Sequence, residues 1–352
     1  MHFIHLTIGL ALVCASFSIM AEQTKPLVLG MSAPLTGPAK QLGLSYQSGA
    51  SKAFAEYNQT REATSPAIEL QVLDDGYEPL RTVANTKQFL LQDKVFALFG
   101  FVGTPTTNSV LPLLRKYRKP FIAPLTGSDL LRQPDDTFIV NFRSSYGEEI
   151  AAQFQLLVDK KGYKRIGLLI QADEFGASVE RNILEQFSQR NLSPIHTARF
   201  KRNSADIFDS MTKLQQFQPE LVITVGTYSV ISEAILLSTE QGFTPAFSIL
   251  SFTGAKQLAS ALQGNHQVFA SAVLPWPALS ADSKDTDDIY IEGFHAASFV
   301  VAAVKACGKS INDACLLKEL KKVDGFSFKS NQQNTKGVYM LQLTKQGFEL
   351  MM

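Results

Sequence analysis

The stretch most able to hold a small anion is Phe99-Gly100-Phe101-Val102-Gly103-Thr104-Pro105, which closes an apolar strand-like run from Val95. Its glycines let a ligand approach the main chain. Thr104 reads as a helix N-cap and Pro105 as the first helical residue. A helix opened in this way presents free N–H groups and the positive end of its dipole, which suit a carboxylate. Plain capping with no ligand is the competing reading. Pro124-Leu125-Thr126-Gly127-Ser128-Asp129 repeats the arrangement after the next strand, with Ser128 as the cap. Two neighbouring strand ends that carry one device favour a ligand site, because open α/β sheets bind ligands at the carboxyl ends of their strands.

Catalytic signatures are absent. The chain has no Gly-x-Gly-x-x-Gly after a strand, no Walker loop, no zinc-type His pair and no Gly-x-Ser-x-Gly elbow. His295 sits on an apolar helical face and reads as a packing residue. No enzyme, cofactor or metal is expected. Lys and Arg number 33 against 32 Asp and Glu, and no basic run exceeds two residues. Such a balance gives no electrostatic drive toward nucleic acid.

The first residues point to export. Phe3 to Met20 is apolar apart from His5 and a few hydroxyl residues, and no charged side chain other than histidine precedes Glu22. Ala21 is followed by polar sequence, so residues 1–21 read as a signal peptide cut after Ala21. An uncleaved anchor helix is the alternative. The longest other apolar stretch, Ala296 to Ala306, is short. After cleavage only Cys307 and Cys315 remain. An even pair in an oxidising compartment predicts a disulfide, and two Cys without a nearby His do not make a zinc site.

The elements that must position these loops alternate throughout. Strands are read at Leu27–Met31, Ile68–Leu73, Val95–Phe99, Phe121–Ala123, Thr137–Phe142, Arg165–Ile170, Leu221–Val225, Ala246–Leu250 and Val268–Val273. Helical spacing appears over Tyr46–Tyr57, Pro105–Tyr117, Ile150–Val158, Val179–Phe187, Ile207–Leu214, Val230–Glu240 and Asp287–Lys305. Strands separated by helices give parallel sheets covered on both faces, and this many require two α/β lobes. Phe101, Phe252 and Trp276 are candidates for aromatic cleft walls and equally for core.

These residues resemble the type I periplasmic binding proteins of the leucine/isoleucine/valine-binding family, the receptor-family ligand-binding region. The likeness is carried by Gly30-Met31-Ser32-Ala33-Pro34-Leu35-Thr36-Gly37-Pro38, Gly49-Ala50, Phe99–Thr104, Pro120–Thr126, Asn141-Phe142-Arg143, Phe175-Gly176 and Gly226-Thr227-Tyr228 in order. It implies two Rossmann-like lobes, residues 24–141 with 275–329 and 142–274 with 330–352, joined by three crossings near Asn141, Leu274 and Lys329. It also implies that Gly103-Thr104 and Leu125-Thr126-Gly127 hold a ligand carboxylate, that Phe175 covers the ligand, and that Tyr146 and Tyr228 face the cleft. The family's ammonium-binding glutamate is missing: the matching place reads Ser251-Phe252-Thr253-Gly254. Asp173 either replaces it or caps its own loop. The expected partners are a small-molecule ligand and the membrane permease of an ABC importer, or in the alternative a sensory receptor. The protein is expected to be a periplasmic monomer.

Overall fold

The computed structural model describes residues 25–204, 206–262, 265–274, 287–322 and 337–351. The signal segment 1–21, Trp276 and the crossing near Lys329 lie outside the described residues. The first lobe runs β1 (Leu27–Ala33), α1 (Lys40–Thr60), β2 (Ile68–Asp74), α2 (Pro79–Lys87), β3 (Ala97–Phe99), α3 (Thr104–Tyr117), β4 (Phe121–Ile122) and β5 (Ile139–Val140). Its five strands pair in the order β2-β1-β3-β4-β5, all parallel.

The chain then builds a second sheet. It runs α4 (Tyr146–Gln153), β6 (Ile166–Gln171), α5 (Glu174–Gln189), β7 (His196–Phe200), α6 (Phe208–Phe217), β8 (Leu221–Val225), α7 (Tyr228–Glu240), β9 (Ala246–Ile249), α8 (Ala255–Ala261) and β10 (Val268–Ala272). Next come α9 (Asp288–Cys307) and α10 (Asp313–Lys322), then β11 (Tyr339–Thr344) and β12 (Gly347–Leu350). The order is β12-β11-β10-β9-β8-β6-β7. The expectation of parallel sheets holds for both centres, but β11 and β12 extend the second sheet antiparallel.

β6, β8 and β10 are buried along their whole length, as continuous apolar runs flanked by helices require. α9 runs longer than the apolar stretch Ala296–Ala306 suggests. Its length and composition would also suit a membrane crossing, but ten of its residues are buried within the protein. It packs on α1 at two glycines: a Cβ at Gly49 would lie 1.9 Å from the Tyr290 carbonyl oxygen, and one at Gly293 would lie 2.2 Å from that of Tyr46. Any larger residue would push these helices apart. Asp287 caps α9, accepting from Tyr290 N–H at 2.6 Å. Its last residue, Cys307, is disulfide-bonded to Cys315 of α10, with Cα atoms 6.0 Å apart.

Candidate ligand-binding site

The two loops read as an anion seat do come together. Val102 and Leu125 form a parallel bridge, Gly103 N–H donates to Leu125 O at 3.1 Å, and Leu125 N–H to Phe101 O at 2.8 Å. This pairing prolongs β3 and β4 just far enough to bring Thr104 Oγ1 within 2.8 Å of Thr126 Oγ1. Thr126 Oγ1 in turn donates to the Tyr146 hydroxyl at 3.3 Å, and Ser128 N–H donates to Thr126 Oγ1 at 3.2 Å. Tyr146 is held in place by its own N–H, which donates to Gly127 O at 2.8 Å. All three hydroxyl residues are buried. Burial raises the Tyr146 pKa, so the phenol stays protonated.

Two expectations about these loops need correction. Thr104 is not the cap of α3. Gly103 takes the cap position with φ +96°, and Thr104 is the first helical residue, its hydroxyl turned to Thr126. A side chain committed sideways cannot also fold onto the second or third amide of its helix. The second loop opens no long helix either. Ser128 caps a single three-residue 3-10 turn, Asp129–Leu131, accepting from Leu130 N–H at 3.3 Å.

Rings close the site from the other lobe. Tyr146 and Phe175 lie 5.4 Å apart between centroids, and Phe175 and Phe252 5.0 Å apart edge to face. Phe252 follows β9 in the Ser251–Thr253 turn and is buried. Phe101 is not a cleft wall. It packs into the core between Phe89 and Phe121, at 6.4 and 5.2 Å, because its position next to a strand end turns it to the opposite sheet face. Tyr228 opens α7 and is half-buried.

Asp173 caps α5, accepting from Phe175 N–H at 3.0 Å, and also accepts from Gln171 Nε2 at 2.7 Å and pairs with Arg202 at 3.0 Å. Loop capping is therefore its role in this structure. Arg202 reaches on to Glu78 of the first lobe at 3.0 Å, and Asn203 Nδ2 donates to Glu78 at 2.7 Å. Ser128 and Ser178 meet at 3.1 Å, and Asn182 donates to Asp129 at 3.0 Å. The lobes are thus closed on one another.

Sequence reasoning missed a buried ion cluster behind the rings. Arg143, at the first crossing, lies 3.3 Å from Glu292 of α9 and donates to Ser251 Oγ. Glu149 accepts from Ser251 N–H and Oγ, both at 2.9 Å, and from Ser271 Oγ at 2.6 Å. Burial, opposed by Arg143, pushes Glu292 up to about 7. A carboxylate therefore does reach the Ser251 strand end, but Glu149 brings it from α4. Its only sequence signal was Asn141-Phe142-Arg143, read as a crossing marker. Tyr77, also missed, lies buried at the end of β2 with its ring against Gly103, where a Cβ would come within 2.2 Å. Among the described residues no group of three or more His, Cys, Asp or Glu could hold a metal ion.

Comparison with known proteins agrees with this fold. Residues 26–347 match a family model described as periplasmic binding protein. A curated "Amino acid binding protein" of Pseudomonas aeruginosa is 23% identical over 299 residues, covering 82% of this chain and 77% of its own. Among solved structures, a possible leucine/isoleucine/valine-binding protein from Rhodopirellula baltica superposes with a TM-score of 0.83 at 27% identity, covering 94% of this chain and 97% of that one. A fatty acid ABC transporter substrate-binding protein from Thermomonospora curvata shares the fold at a TM-score of 0.77 and 19% identity, covering 93% and 91%.

Proposed function

We propose, from the premise that this chain belongs to the periplasmic binding protein family, that it captures a small organic carboxylate between its lobes and delivers it to the permease of an ABC importer. The family works by binding rather than by catalysis and implies a periplasmic location. Export through a signal peptide cut after Ala21 is part of the proposal. The observation that carries the ligand class is the buried hydroxyl chain Thr104–Thr126–Tyr146 at the start of α3. Hydroxyl donors beside a helix N-terminus stabilise an anion without a charged side chain. The names of the relatives support the same group, since amino acids and fatty acids share a carboxylate and differ in amine and body.

In this reading residues 24–141 with 275–329 form one lobe and 142–274 with 330–352 the other. The supporting facts are that β5 ends the first sheet just before α4, that α9 packs on α1, and that β11 and β12 join the second sheet. A ligand touching Thr104 and Thr126 on one side and Phe175 and Phe252 on the other favours closure through its contacts to both. Mass spectrometry of small molecules released from the purified protein identifies what it carries. Thr104→Val should weaken binding of that compound by about 0.5–3 kcal/mol, measured by calorimetry. Tyr228→Ala should weaken it through lost contact area. Parent-like affinity in both variants would refute the site.

A further inference from the structure

Contacts around the site run in a closed circuit. Thr104 meets Thr126, Thr126 meets Tyr146, Tyr146 meets Phe175, and Phe175 meets Phe252. Phe252 meets Tyr77 at 6.3 Å between ring centroids, and the Tyr77 ring returns to Gly103, next to Thr104. Tyr77 is the first-lobe ring of this circuit. Its place is fixed from below: its N–H donates to Asp75 Oδ1 at 2.9 Å, and Asp75 is anchored by Ser32 at 2.7 Å. The backbone there is left-handed, with φ +63°, an uncommon state for a large side chain. Gly103 supplies the room, since any Cβ would strike the ring.

The Tyr77 hydroxyl is buried and makes no hydrogen bond. Gln171 is its polar neighbour, but the two fall short of a hydrogen bond; the Gln171 amide nitrogen donates one N–H to Asp173 at 2.7 Å. Buried hydroxyls in native proteins are nearly always paired, and an orphan at a cleft calls for a partner from outside. The other site hydroxyls are satisfied within the protein; this one is held in a strained turn and left open.

We propose that Tyr77 is a specificity-determining residue whose hydroxyl pairs with a second polar group on the ligand, separate from the carboxylate held at Thr104 and Thr126. The inference rests on the proposed function and adds to it: the ligand is a carboxylate with a further hydroxyl, amine or carbonyl on its apolar or aromatic body. Phenylpropionate lacks such a group. Phenyllactate carries a hydroxyl beside the carboxylate, and the para-hydroxy derivative of phenylpropionate carries one at the far end.

Calorimetric titration of parent, Tyr77→Phe and Thr104→Val with these three probes tests it. At least one hydroxylated probe should bind the parent about tenfold more tightly than phenylpropionate, one hydrogen bond's worth. Tyr77→Phe should erase that gain and leave phenylpropionate unchanged. A gain that persists in Tyr77→Phe, or no gain in the parent, overturns the proposal. Loss of all three probes in Thr104→Val with no change in Tyr77→Phe would keep the carboxylate seat and remove Tyr77 alone. If no probe binds the parent, the ligand class falls with both readings. The melting temperature of ligand-free Tyr77→Phe should match or exceed the parent's; a clear fall would make the hydroxyl structural and sink the proposal.

Discussion

The circuit of rings and hydroxyls and the ion cluster behind it are both buried between the two sheets, yet they are built on opposite terms. In the cluster, Glu149 takes three hydrogen bonds and Arg143 is shared between Ser251 and Glu292. The cluster joins the first crossing, α4, α9 and the ends of β9 and β10. In the circuit no side chain is charged, and the Tyr77 hydroxyl is left without a partner. Charges inside a protein are tolerated only when paired; Arg143 and Glu292 pair at 3.3 Å, although Arg143 Nε and Nη1 make no hydrogen bond. Neutral hydroxyls cost less to leave open, so the circuit can wait for a ligand. On the proposed function, fold integrity rests with the cluster and selectivity with the circuit.

The strongest way to break that division is to remove the cation. Arg143→Met leaves Glu292 buried without its partner and should destabilise the protein by about 3–5 kcal/mol, read from urea unfolding. Adding Glu292→Gln should recover part of this at pH 8, where a lone Glu292 must either keep a proton against the solution or sit as an unpaired buried charge. A single variant as stable as the parent would mean the cluster does not hold the crossing. None of the circuit substitutions should approach this loss.

A second test uses protons. The folded value of Glu292, about 7, lies above the ordinary carboxyl value of 4.5. Between the two, the folded protein holds a proton that the unfolded chain has released. Stability contributed by this group is therefore present at low pH and lost as pH rises through 7. Arg143, Glu149 and Asp288 surround it; burial also raises Asp288 and Asp75, each to about 6, so they act in the same direction but finish sooner. Melting temperatures from about pH 5 to 8 should fall in the parent and fall less in Glu292→Gln, the difference building up mainly between about pH 5 and 7. Parallel profiles would remove Glu292 from the explanation.

The two regions also differ in how far the sequence reveals them. Strands buried on both faces, such as β6 and β8, show as continuous apolar runs, and the reading found them. β7, at the sheet edge, spells His-Thr-Ala-Arg-Phe and has no such run, and α2 opens on Pro79 with a mostly polar turn; both were missed. The hydroxyl loops were legible because they follow strands, where ligands bind. The same rule applied to the end of β2 leads to Tyr77, three residues beyond Asp74. Glu149 and Glu292 could not be found, since nothing local marks a carboxylate whose partners meet it only on folding. Thr104 shows a finer limit. Its hydroxyl meets Thr126 of the neighbouring loop, while the capping role passes to Gly103, whose positive φ the sequence does not display.

The mildest prediction bears on the border between the two regions, at Asp173. Its carboxylate already accepts from Phe175 N–H on Oδ1 and from Gln171 and Arg202 on Oδ2, so a ligand ammonium group would have to compete with the cap. Asparagine would keep the cap acceptor and lose the charge facing Arg202, which retains Glu78. The expected stability loss is therefore below about 1 kcal/mol, the range of a partly exposed ion pair. Phenylalanine and phenylpropionate share a body and a carboxylate and differ by the amine, so the ratio of their affinities reads the ammonium contact alone. That ratio should stay within about threefold when parent and Asp173→Asn are compared, less than one charged hydrogen bond. A tenfold loss confined to phenylalanine would show that Asp173 turns from its cap to the ligand. The circuit would then hold a charge after all, and the contrast with the cluster would fail at that residue.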